Sequence, residues 1–197
     1  MTVLDDRVLE VLARLEAEDM HERAAGVAPE QRSLACGPDA GRLLFALVSA
    51  AQDARVLEIG ASRGYSTIWL AAAARLGGGS VVSLEQDRAK VAAWHLNLRD
   101  AGLDDNAVLV EGDALGTLSR LEERFSIAFL DAWKPDYELY FTAVRSLVEP
   151  GAVVVADNVT SHESLATYSA RRQADPTLAS LTVPVGNGLE VTVVLEP

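Results

Sequence analysis

The sequence predicts an α/β fold in which helices cover both faces of a doubly wound, mostly parallel sheet of seven strands. Short apolar runs alternate with segments of helical periodicity over most of the 197 residues. Glycine and proline residues separate these segments. The last two apolar runs are joined only by Gly186-Asn187-Gly188. So short a link cannot make a parallel crossover, and it therefore predicts a hairpin with an antiparallel last strand.

The predicted strands are short apolar runs at residues 55–59, 80–84, 107–110, 126–130, 152–156, 181–185 and 189–195. Between the first five strands, apolar residues recur every three or four positions and predict helices at 66–76, 88–101, 114–122 and 137–148. Two more helices are predicted before the first strand, at 3–15 and 39–51. This alternation predicts one Rossmann-like domain over residues 1–197. The helices of residues 1–51 are expected on the substrate side, and residues 55–197 form the core.

Composition and charge restrict the class of protein. The net charge of −12 argues against a nucleic-acid partner and against an anionic membrane surface. Cys36 is the only cysteine, so no intramolecular disulfide is expected. The N-terminal residues lack the basic start and apolar block of a signal peptide, and the apolar runs are too short to cross a bilayer. We therefore expect a cytoplasmic protein.

Acidic residues recur at the carboxyl ends of the predicted strands. They are Glu58, Glu85, Asp113, Asp131 and Asp157. Ligands of open parallel sheets bind beyond these strand ends. A single acid in such a place is often a helix cap. Five in one row instead favour a polar binding site.

The loop after the first predicted strand indicates a nucleotide-type cofactor. In VLEIGASRGYST, Glu58, Gly60 and Gly64 give the spacing E-x-G-x-x-x-G, which differs from the G-x-G-x-x-G of dinucleotide sites. Taken alone, this loop also fits a tight turn in any α/β protein. The next strand ends in LEQD, where Glu85 is suited to accept hydrogen bonds from two ribose hydroxyls. Asp113 and Ala114, in GDAL, follow the third strand at a position that borders an adenine ring.

The motifs VLEIGASRGYST, LEQD, GDAL, DAWKPDY and ADN span residues 56–158. With them the chain resembles the class I S-adenosylmethionine-dependent methyltransferases. More narrowly, it resembles the metal-dependent O-methyltransferase family that includes catechol and caffeoyl-CoA O-methyltransferases. The resemblance implies that the cofactor S-adenosylmethionine is bound by Glu58, Gly60, Ser66, Glu85, Asp113, Ala114, Asp131 and Trp133.

Within that implied site, Gly60 lets the backbone approach the methionine part and Ser66 helps to hold its carboxylate. Glu85 takes the ribose, and Ala114 and Trp133 border the adenine. Arg63 departs from the family pattern, which has a smaller or neutral residue there, and we expect its side chain to point to solvent.

Three oxygen-bearing side chains predict a divalent-cation site. Asp131 ends one predicted strand, and Asp157 and Asn158 end the next. If these strands are neighbours, the three side chains converge, and such oxygen ligands suit Mg²⁺ or, alternatively, Ca²⁺ or Mn²⁺. Spacing alone fits a metal and a pair of helix caps equally well. The resemblance to the family implies that these residues are metal ligands.

Lys134 is the predicted general base. Most of the 17 basic residues need no role beyond solubility, but Lys134 follows Asp131 by three positions and would lie beside the cation. The resemblance implies that it removes the proton from the acceptor hydroxyl. His162, in DNVTSHES, is interpreted as a polar residue at a helix start, with a role as a second base as the alternative.

The sequence therefore predicts methyl transfer to a hydroxyl of a small acceptor. A vicinal dihydroxy aromatic is favoured over a CoA thioester, because no basic cluster for a CoA phosphate is present. An NAD(P)-dependent oxidoreductase and a non-catalytic cofactor-binding module are the alternatives. The sequence lacks the glycine loop and the tyrosine–lysine pair expected of such an oxidoreductase. A non-catalytic module would not need Lys134 and the three predicted ligands. An apolar stripe on the first helix suggests a homodimer.

Overall fold

The computed structural model describes residues 4–196 and contains one seven-stranded sheet. Its strands are β1 Arg55–Ile59, β2 Ser80–Glu85, β3 Ala107–Glu111, β4 Phe125–Leu130, β5 Val148–Ala156, β6 Leu178–Val183 and β7 Leu189–Val194. They lie in the order β3-β2-β1-β4-β5-β7-β6. Strands β1 to β5 pair in parallel, whereas β7 is antiparallel to both β5 and β6. The predicted Rossmann-like sheet with an antiparallel last strand is confirmed.

Seven α-helices accompany the described part of the sheet. They are α1 Asp6–Ala24, α2 Pro38–Ser49, α3 Tyr65–Leu76, α4 Arg88–Asp100, α5 Ala114–Leu118, α6 Tyr137–Arg145 and α7 Ala166–Ala174. Helix α1 runs nine residues beyond its predicted end, and the start predicted at Val3 lies outside the described residues, as do the two ends of the predicted 1–197 domain. Within residues 4–196, no helix has both the length and the apolarity needed to cross a bilayer.

The helices form two layers, one on each face of the sheet. Helices α1 to α4 pack into one apolar core, and α5 to α7 contribute to a second core on the opposite face. The apolar stripe of α1 belongs to the first core, since Val8, Val11, Leu12 and Leu15 are at most 6% exposed. Because this stripe is already covered within the chain, it is not available as the dimer surface that the sequence suggested.

Helix α7 is missing from the sequence prediction because only one of its three buried residues, Tyr168, belongs to the apolar core. Its buried positions are Tyr168, Ser169 and Arg172. The guanidinium carbon of Arg172 lies 4.1 Å from the Phe141 ring centroid and 4.8 Å from that of Tyr168. The arginine therefore fills a core position that periodicity of apolar residues does not detect.

Strand register brings the acidic strand ends together. Ile59 of β1 is paired with Leu130 of β4, and Leu130 is paired with Ala156 of β5. Asp131 and Asp157 each follow directly, and Asp157 N donates a 3.0 Å hydrogen bond to Leu130 O. The carboxyl ends of β1, β4 and β5 therefore form one edge, which is where open parallel sheets bind ligands.

Candidate active site

The loop between β1 and α3 requires glycine at its first position. Gly60 has a φ of 95°, and a Cβ there would lie 2.7 Å from the carbonyl carbon of Asp131. The N–H groups of Gly60 and Ala61 both donate to Leu84 O, at 3.0 Å each. The loop, residues 60–64, is thus held tightly between the ends of β2 and β4, and we call it the cofactor loop after its predicted role.

Glu58 lies inside the protein and fixes the start of α3. It is fully buried, and its carboxylate accepts hydrogen bonds from the hydroxyls of Ser66 at 2.5 Å, Thr67 at 2.5 Å and Ser83 at 2.6 Å. Burial raises the pKa of Glu58, while the three hydroxyls act against that shift. Since the Ser66 hydroxyl donates to Glu58, an anion at this helix end would be bound by the backbone N–H groups of the first turn.

Glu85, the last residue of β2, organises the backbone around it. Its carboxylate accepts hydrogen bonds from the N–H groups of Ser62 at 2.8 Å, Gln86 at 2.9 Å and Asp87 at 2.9 Å. A carboxylate offers about four acceptor positions, so capacity remains for a hydroxyl group of a ligand. Sequence reasoning found Glu85 but not its bonds to the cofactor loop.

The predicted adenine-side residues lie at the ends of β3 and β4. The Asp113 carboxylate accepts a 2.7 Å hydrogen bond from Gly116 N and caps the short helix α5, which begins at Ala114. The Trp133 side chain is 67% exposed, which leaves its ring free to stack against a planar ligand. Asp113 therefore caps a helix in this structure.

Asp131, Lys134, Asp157 and Asn158 form one cluster beyond β4 and β5. Asp131 Oδ1 lies 2.7 Å from Lys134 Nζ and accepts a 2.8 Å hydrogen bond from Asn158 Nδ2. Asp157 Oδ1 accepts a 2.6 Å hydrogen bond from Asn158 N. Asn158 has a φ of 68°, a left-handed conformation that asparagine tolerates better than most residues. The predicted convergence of Asp131, Asp157 and Asn158 is seen in the structure, and Lys134 lies beside Asp131.

One buried oxygen in this cluster has no partner, and it fits a cation. Asp157 Oδ2 is buried without a hydrogen bond among the described residues. Burial and then the Asp131 charge raise the pKa of Asp157 to about 8, although the Asn158 N–H group and the Lys134 charge act against that shift. Residues 4–196 contain no group of three or more His, Cys, Asp or Glu that could bind a metal. Two carboxylates and one amide would leave further positions of a hard cation to water or substrate.

The amide of Asn158 can serve such a cation after a simple rotation. Its nitrogen faces Asp131, and its oxygen accepts a 3.3 Å hydrogen bond from Asn187 Nδ2. Asn187 lies in the tip of the β6–β7 hairpin, residues 186–188, which we call the hairpin tip. Turning the amide about its terminal bond exchanges the two atoms and presents Oδ1 beside the Asp131 carboxylate. Asn187 O in turn accepts hydrogen bonds from Thr160 N at 3.0 Å and Thr160 Oγ1 at 2.7 Å. The hairpin tip therefore supports the Asn158 loop, which the sequence did not indicate.

Tyr137 supports the cluster from below. Its buried hydroxyl lies 3.1 Å from Leu130 O and 3.2 Å from Asp157 O, so it joins the ends of β4 and β5.

His162 precedes the 3-10 turn Glu163–Leu165 and is exposed, with its ring nitrogen Nδ1 3.1 Å from Ser161 Oγ. This placement agrees with the interpretation of His162 as a residue at a helix start.

The expectation for Arg63 is wrong. Its guanidinium does not point to solvent but lies 2.8 Å from Glu22 Oε1 of α1, and it donates a 2.8 Å hydrogen bond to Gln31 O. Both partners precede the first strand and are more than 30 residues away in the sequence. No local pattern near Arg63 could have indicated them.

Fold and site together define a Rossmann-like protein with a glycine loop after the first strand and a carboxylate–lysine cluster beyond the fourth and fifth. Residues 10–192 match the model of the O-methyltransferase family, and the chain belongs to that family.

Relatives of known name agree with this assignment. The catechol O-methyltransferase of Mycobacterium tuberculosis is 40% identical over 137 residues, which are 69% of this chain and 62% of that protein. The matched part therefore spans about three fifths of the length of the curated relatives, 59% and 62% for the first two.

Solved structures resemble nearly the whole chain. The O-methyltransferase TomG from Streptomyces achromogenes, in complex with SAM, has a TM-score of 0.79 at 29% identity, over 97% of this chain and 90% of that chain. The O-methyltransferase from Bacillus cereus, in complex with SAH, has a TM-score of 0.76 at 29% identity, over 96% and 91% of the two chains.

Proposed function

We propose that the protein transfers the methyl group of S-adenosylmethionine to one hydroxyl of a small vicinal dihydroxy aromatic compound. The observation that carries this proposal is the cluster of Asp131, Lys134, Asp157 and Asn158 at the sheet edge that also holds the cofactor loop. The names of the relatives, catechol O-methyltransferases among them, support the reaction type. No observation favours a nicotinamide-dependent oxidoreductase or a non-catalytic module.

The cofactor is assigned to the cofactor loop and the ends of β1 to β4. Gly60 gives room for the methionine part, and the first turn of α3 after Gly64 offers N–H groups to its carboxylate. Glu85 accepts the ribose hydroxyls, and Ala114 and Trp133 flank the adenine. The complexes of two similar O-methyltransferases with SAM and SAH support this assignment.

The divalent cation is assigned to Asp131, Asp157 and Asn158, with Mg²⁺ as the first choice. When bound, it would stabilise the negative charge that develops on the acceptor oxygen. The unpartnered Asp157 Oδ2 supports this site, because a buried carboxylate oxygen without a donor is costly.

Lys134 takes the proton from the attacking hydroxyl. Its amine lies 2.7 Å from Asp131 Oδ1 and its side chain is 18% exposed, so it is held at the cluster and shielded from solvent. The deprotonated oxygen then attacks the methyl carbon in line with the sulfur. The C–O bond forms while the C–S bond breaks, and the positively charged sulfonium becomes a neutral thioether. The leaving group needs no acid for this reason.

The experiment is a methyl-transfer assay against vicinal dihydroxy aromatics, each with and without EDTA. Wild-type protein should methylate catechol-type acceptors and lose activity in EDTA, with recovery on adding excess Mg²⁺. A monohydroxy analogue of the same ring is the matched acceptor control. Full activity in EDTA would contradict the cation, and tight NADH binding in place of SAH would contradict the cofactor.

A further inference from the structure

A segment between α1 and α2 runs across the site from the cofactor loop to the hairpin tip. We call residues 29–36 the strap segment. It begins with the 3-10 turn Pro29–Gln31 and leads to the start of α2 at Pro38. Each of its ends contacts a different part of the site.

The first end of the strap segment is bonded to the cofactor loop. Ser62 Oγ donates a 2.8 Å hydrogen bond to Ser33 O, and Arg63 Nη2 donates one of 2.8 Å to Gln31 O. Ser62 N also donates to Glu85 Oε2 at 2.8 Å. Ser62 therefore connects the strap segment directly to the carboxylate that we assign to the ribose.

Arg63 also connects the cofactor loop to the strap segment indirectly, through Glu22 of α1. Arg63 Nη1 lies 2.8 Å from Glu22 Oε1, and Glu22 Oε2 accepts a 2.6 Å hydrogen bond from Ser33 N. Their side chains are 24% and 18% exposed, so the pair is shielded more than a surface ion pair. Asn97 Nδ2 of α4 donates a 2.7 Å hydrogen bond to Arg63 O and fixes the arginine backbone. One guanidinium thus joins α1, the strap segment and the cofactor loop.

The second end of the strap segment lies beside the tip of the β6–β7 hairpin. Cys36 is buried, and burial followed by the charges of Asp157 and Asp131 raises the pKa of its thiol. Cys36 O lies 3.5 Å from the position that a Cβ on Gly186 would occupy. This end therefore lies beside the hairpin tip, whose Asn187 bonds to Asn158 of the cluster.

We propose that Arg63 is a positioning residue that locks the strap segment to the cofactor loop, so that cofactor bound at Glu85 fixes the strap segment beside the acceptor. The inference rests on the proposed function for the identity of the cofactor. Ligand contacts at Glu85 hold Ser62, and Ser62 and Arg63 hold residues 31–33. The strap segment then stands in a defined position beside the hairpin tip, where its Cys36 end borders the acceptor.

The test combines hydrogen exchange with steady-state kinetics on the whole protein. In the wild type, saturating SAH should slow exchange of the Ser33 and Leu34 amides, which bond to Glu22 and Asp19. In Arg63→Met, SAH should still bind at saturation but should no longer slow this exchange. The KM for the acceptor should rise by about tenfold, within the usual range of coupling between sites, while kcat changes little.

Two further variants distinguish positioning from general stability. Glu22→Gln keeps the size of the side chain but removes the charge, so it should have the same effect in weaker form, and Arg63→Lys should restore only part of the coupling, because it cannot form both bonds. Arg42→Met is the control, since it removes an exposed ion pair with Asp39 at the start of α2.

The inference is overturned if Arg63→Met keeps the SAH-dependent protection and the wild-type KM, or if Arg42→Met loses them equally. Failure of the wild type to bind SAH would instead overturn the proposed function together with the coupling that depends on it.

Discussion

The most informative single residue in the site is Asp157, which has one carboxylate oxygen bonded and the other buried without a partner. Asp157 Oδ1 accepts from Asn158 N, whereas Oδ2 has no donor among the described residues. An isolated buried charge is unfavourable, so without a cation the protonated form is favoured. This residue therefore links the pH response of the protein to the proposed cation.

Asp157 should make the cation-free protein less stable as the pH rises. Its pKa is raised from 3.8 to about 8 in the folded chain by burial and by Asp131. Between these values the folded state keeps a proton that the unfolded state has lost, so stability falls with increasing pH and levels off above about 8. Urea unfolding in EDTA at pH 5 and pH 8 measures this loss. Asp157→Asn should show a smaller loss; an equal loss in both proteins would assign it to other groups.

Replacing Lys134 should affect the chemistry and leave cofactor binding intact. Lys134→Ala should lower kcat by roughly 10²–10⁴-fold, the usual contribution of a positioned general base. The affinity for SAH, measured by calorimetry, should stay within about threefold of wild type, because Glu85 and the cofactor loop lie on other strands. Arg88→Ala, which removes an exposed pair with Glu111, is the control. Wild-type turnover in Lys134→Ala would exclude Lys134 as the base.

Replacing Glu85 should act on the cofactor instead. Glu85→Ala should weaken SAH binding by about 1.5–3 kcal/mol, the scale of hydrogen bonds to a charged group. Glu85 also accepts three backbone N–H bonds, so part of the loss will come from a loosened cofactor loop. Glu85→Gln keeps one acceptor oxygen and should lose less. Unchanged affinity in calorimetry of Glu85→Ala would contradict the ribose assignment.

At this scale the sequence predicted the cluster but not the connections around it. Asp131, Asp157 and Asn158 follow adjacent strands, so strand order alone brings them together. Arg63 and Glu22 are 41 positions apart and meet only because α1 packs against the cofactor loop. Such a contact depends on the packing of helices, which has no local signature in the sequence.

Among the secondary-structure elements, the β6–β7 hairpin has the most direct influence on the site. Its tip, Gly186 to Gly188, bonds to Asn158 and Thr160 through Asn187. Gly188 has a φ of 83°, and a Cβ there would lie 2.8 Å from Thr160 Cβ and nearer still to its γ atoms. A glycine is therefore needed for both the turn and the close approach.

Gly188→Ala should disturb the loop of Asn158 and weaken the cation site. The left-handed backbone alone costs about 1–2 kcal/mol for alanine, and the contact with Thr160 adds roughly 1–3 kcal/mol. Gly26→Ala is a matched control, because Gly26 has a φ of 69° and no atom within 4 Å of a Cβ. Both variants should lose stability in urea, but only Gly188→Ala should raise the Mg²⁺ concentration needed for half-maximal activity. Equal Mg²⁺ dependence in the two would contradict support from the hairpin tip.

The order of the elements was more predictable than their ends. Strand–helix alternation and the short hairpin link determined the sheet, because crossover lengths restrict topology strongly. Helix α7 was not predicted, since Arg172 fills a buried position of this helix that is usually apolar. A long charged side chain can pack its apolar stem in the core, although its residue type is polar. A helix that is buried through such a side chain is therefore not detected from the pattern of apolar residues.

For the whole molecule, ligand binding should appear as added stability. A ligand present at 100 times its Kd raises the free energy of unfolding by about 2.7 kcal/mol when it binds only the folded state. SAH should therefore raise the Tm, NADH should not, and Mg²⁺ should add a further increase at pH 8. Thermal unfolding with each ligand alone and in combination measures this. A shift with NADH equal to that with SAH would contradict the cofactor assignment.

A homodimer remains a prediction for the whole molecule. The stripe of Val8, Val11, Leu12 and Leu15 is buried inside the chain, so a dimer formed through α1 would have to use the outer face of that helix. Leu9 and Met20 are exposed there, eleven positions apart and therefore on one side of the helix. Light scattering at micromolar concentration should give twice the chain mass of 21.0 kDa, and Met20→Glu should reduce it. A mass near 21.0 kDa in the wild type would exclude the dimer.

The position of β7 between β5 and β6 has a consequence for synthesis on the ribosome. Strand β5 carries Asp157 and Asn158 at its end, yet one of its two neighbours is formed by residues 189–194. Until those residues have left the ribosome, β5 is an open edge that can pair with another nascent chain. The site is therefore among the last parts of the sheet to be completed. We expect ribosome-bound chains stopped before residue 189 to be cut by protease near β5, and chains stopped well beyond residue 194 to resist.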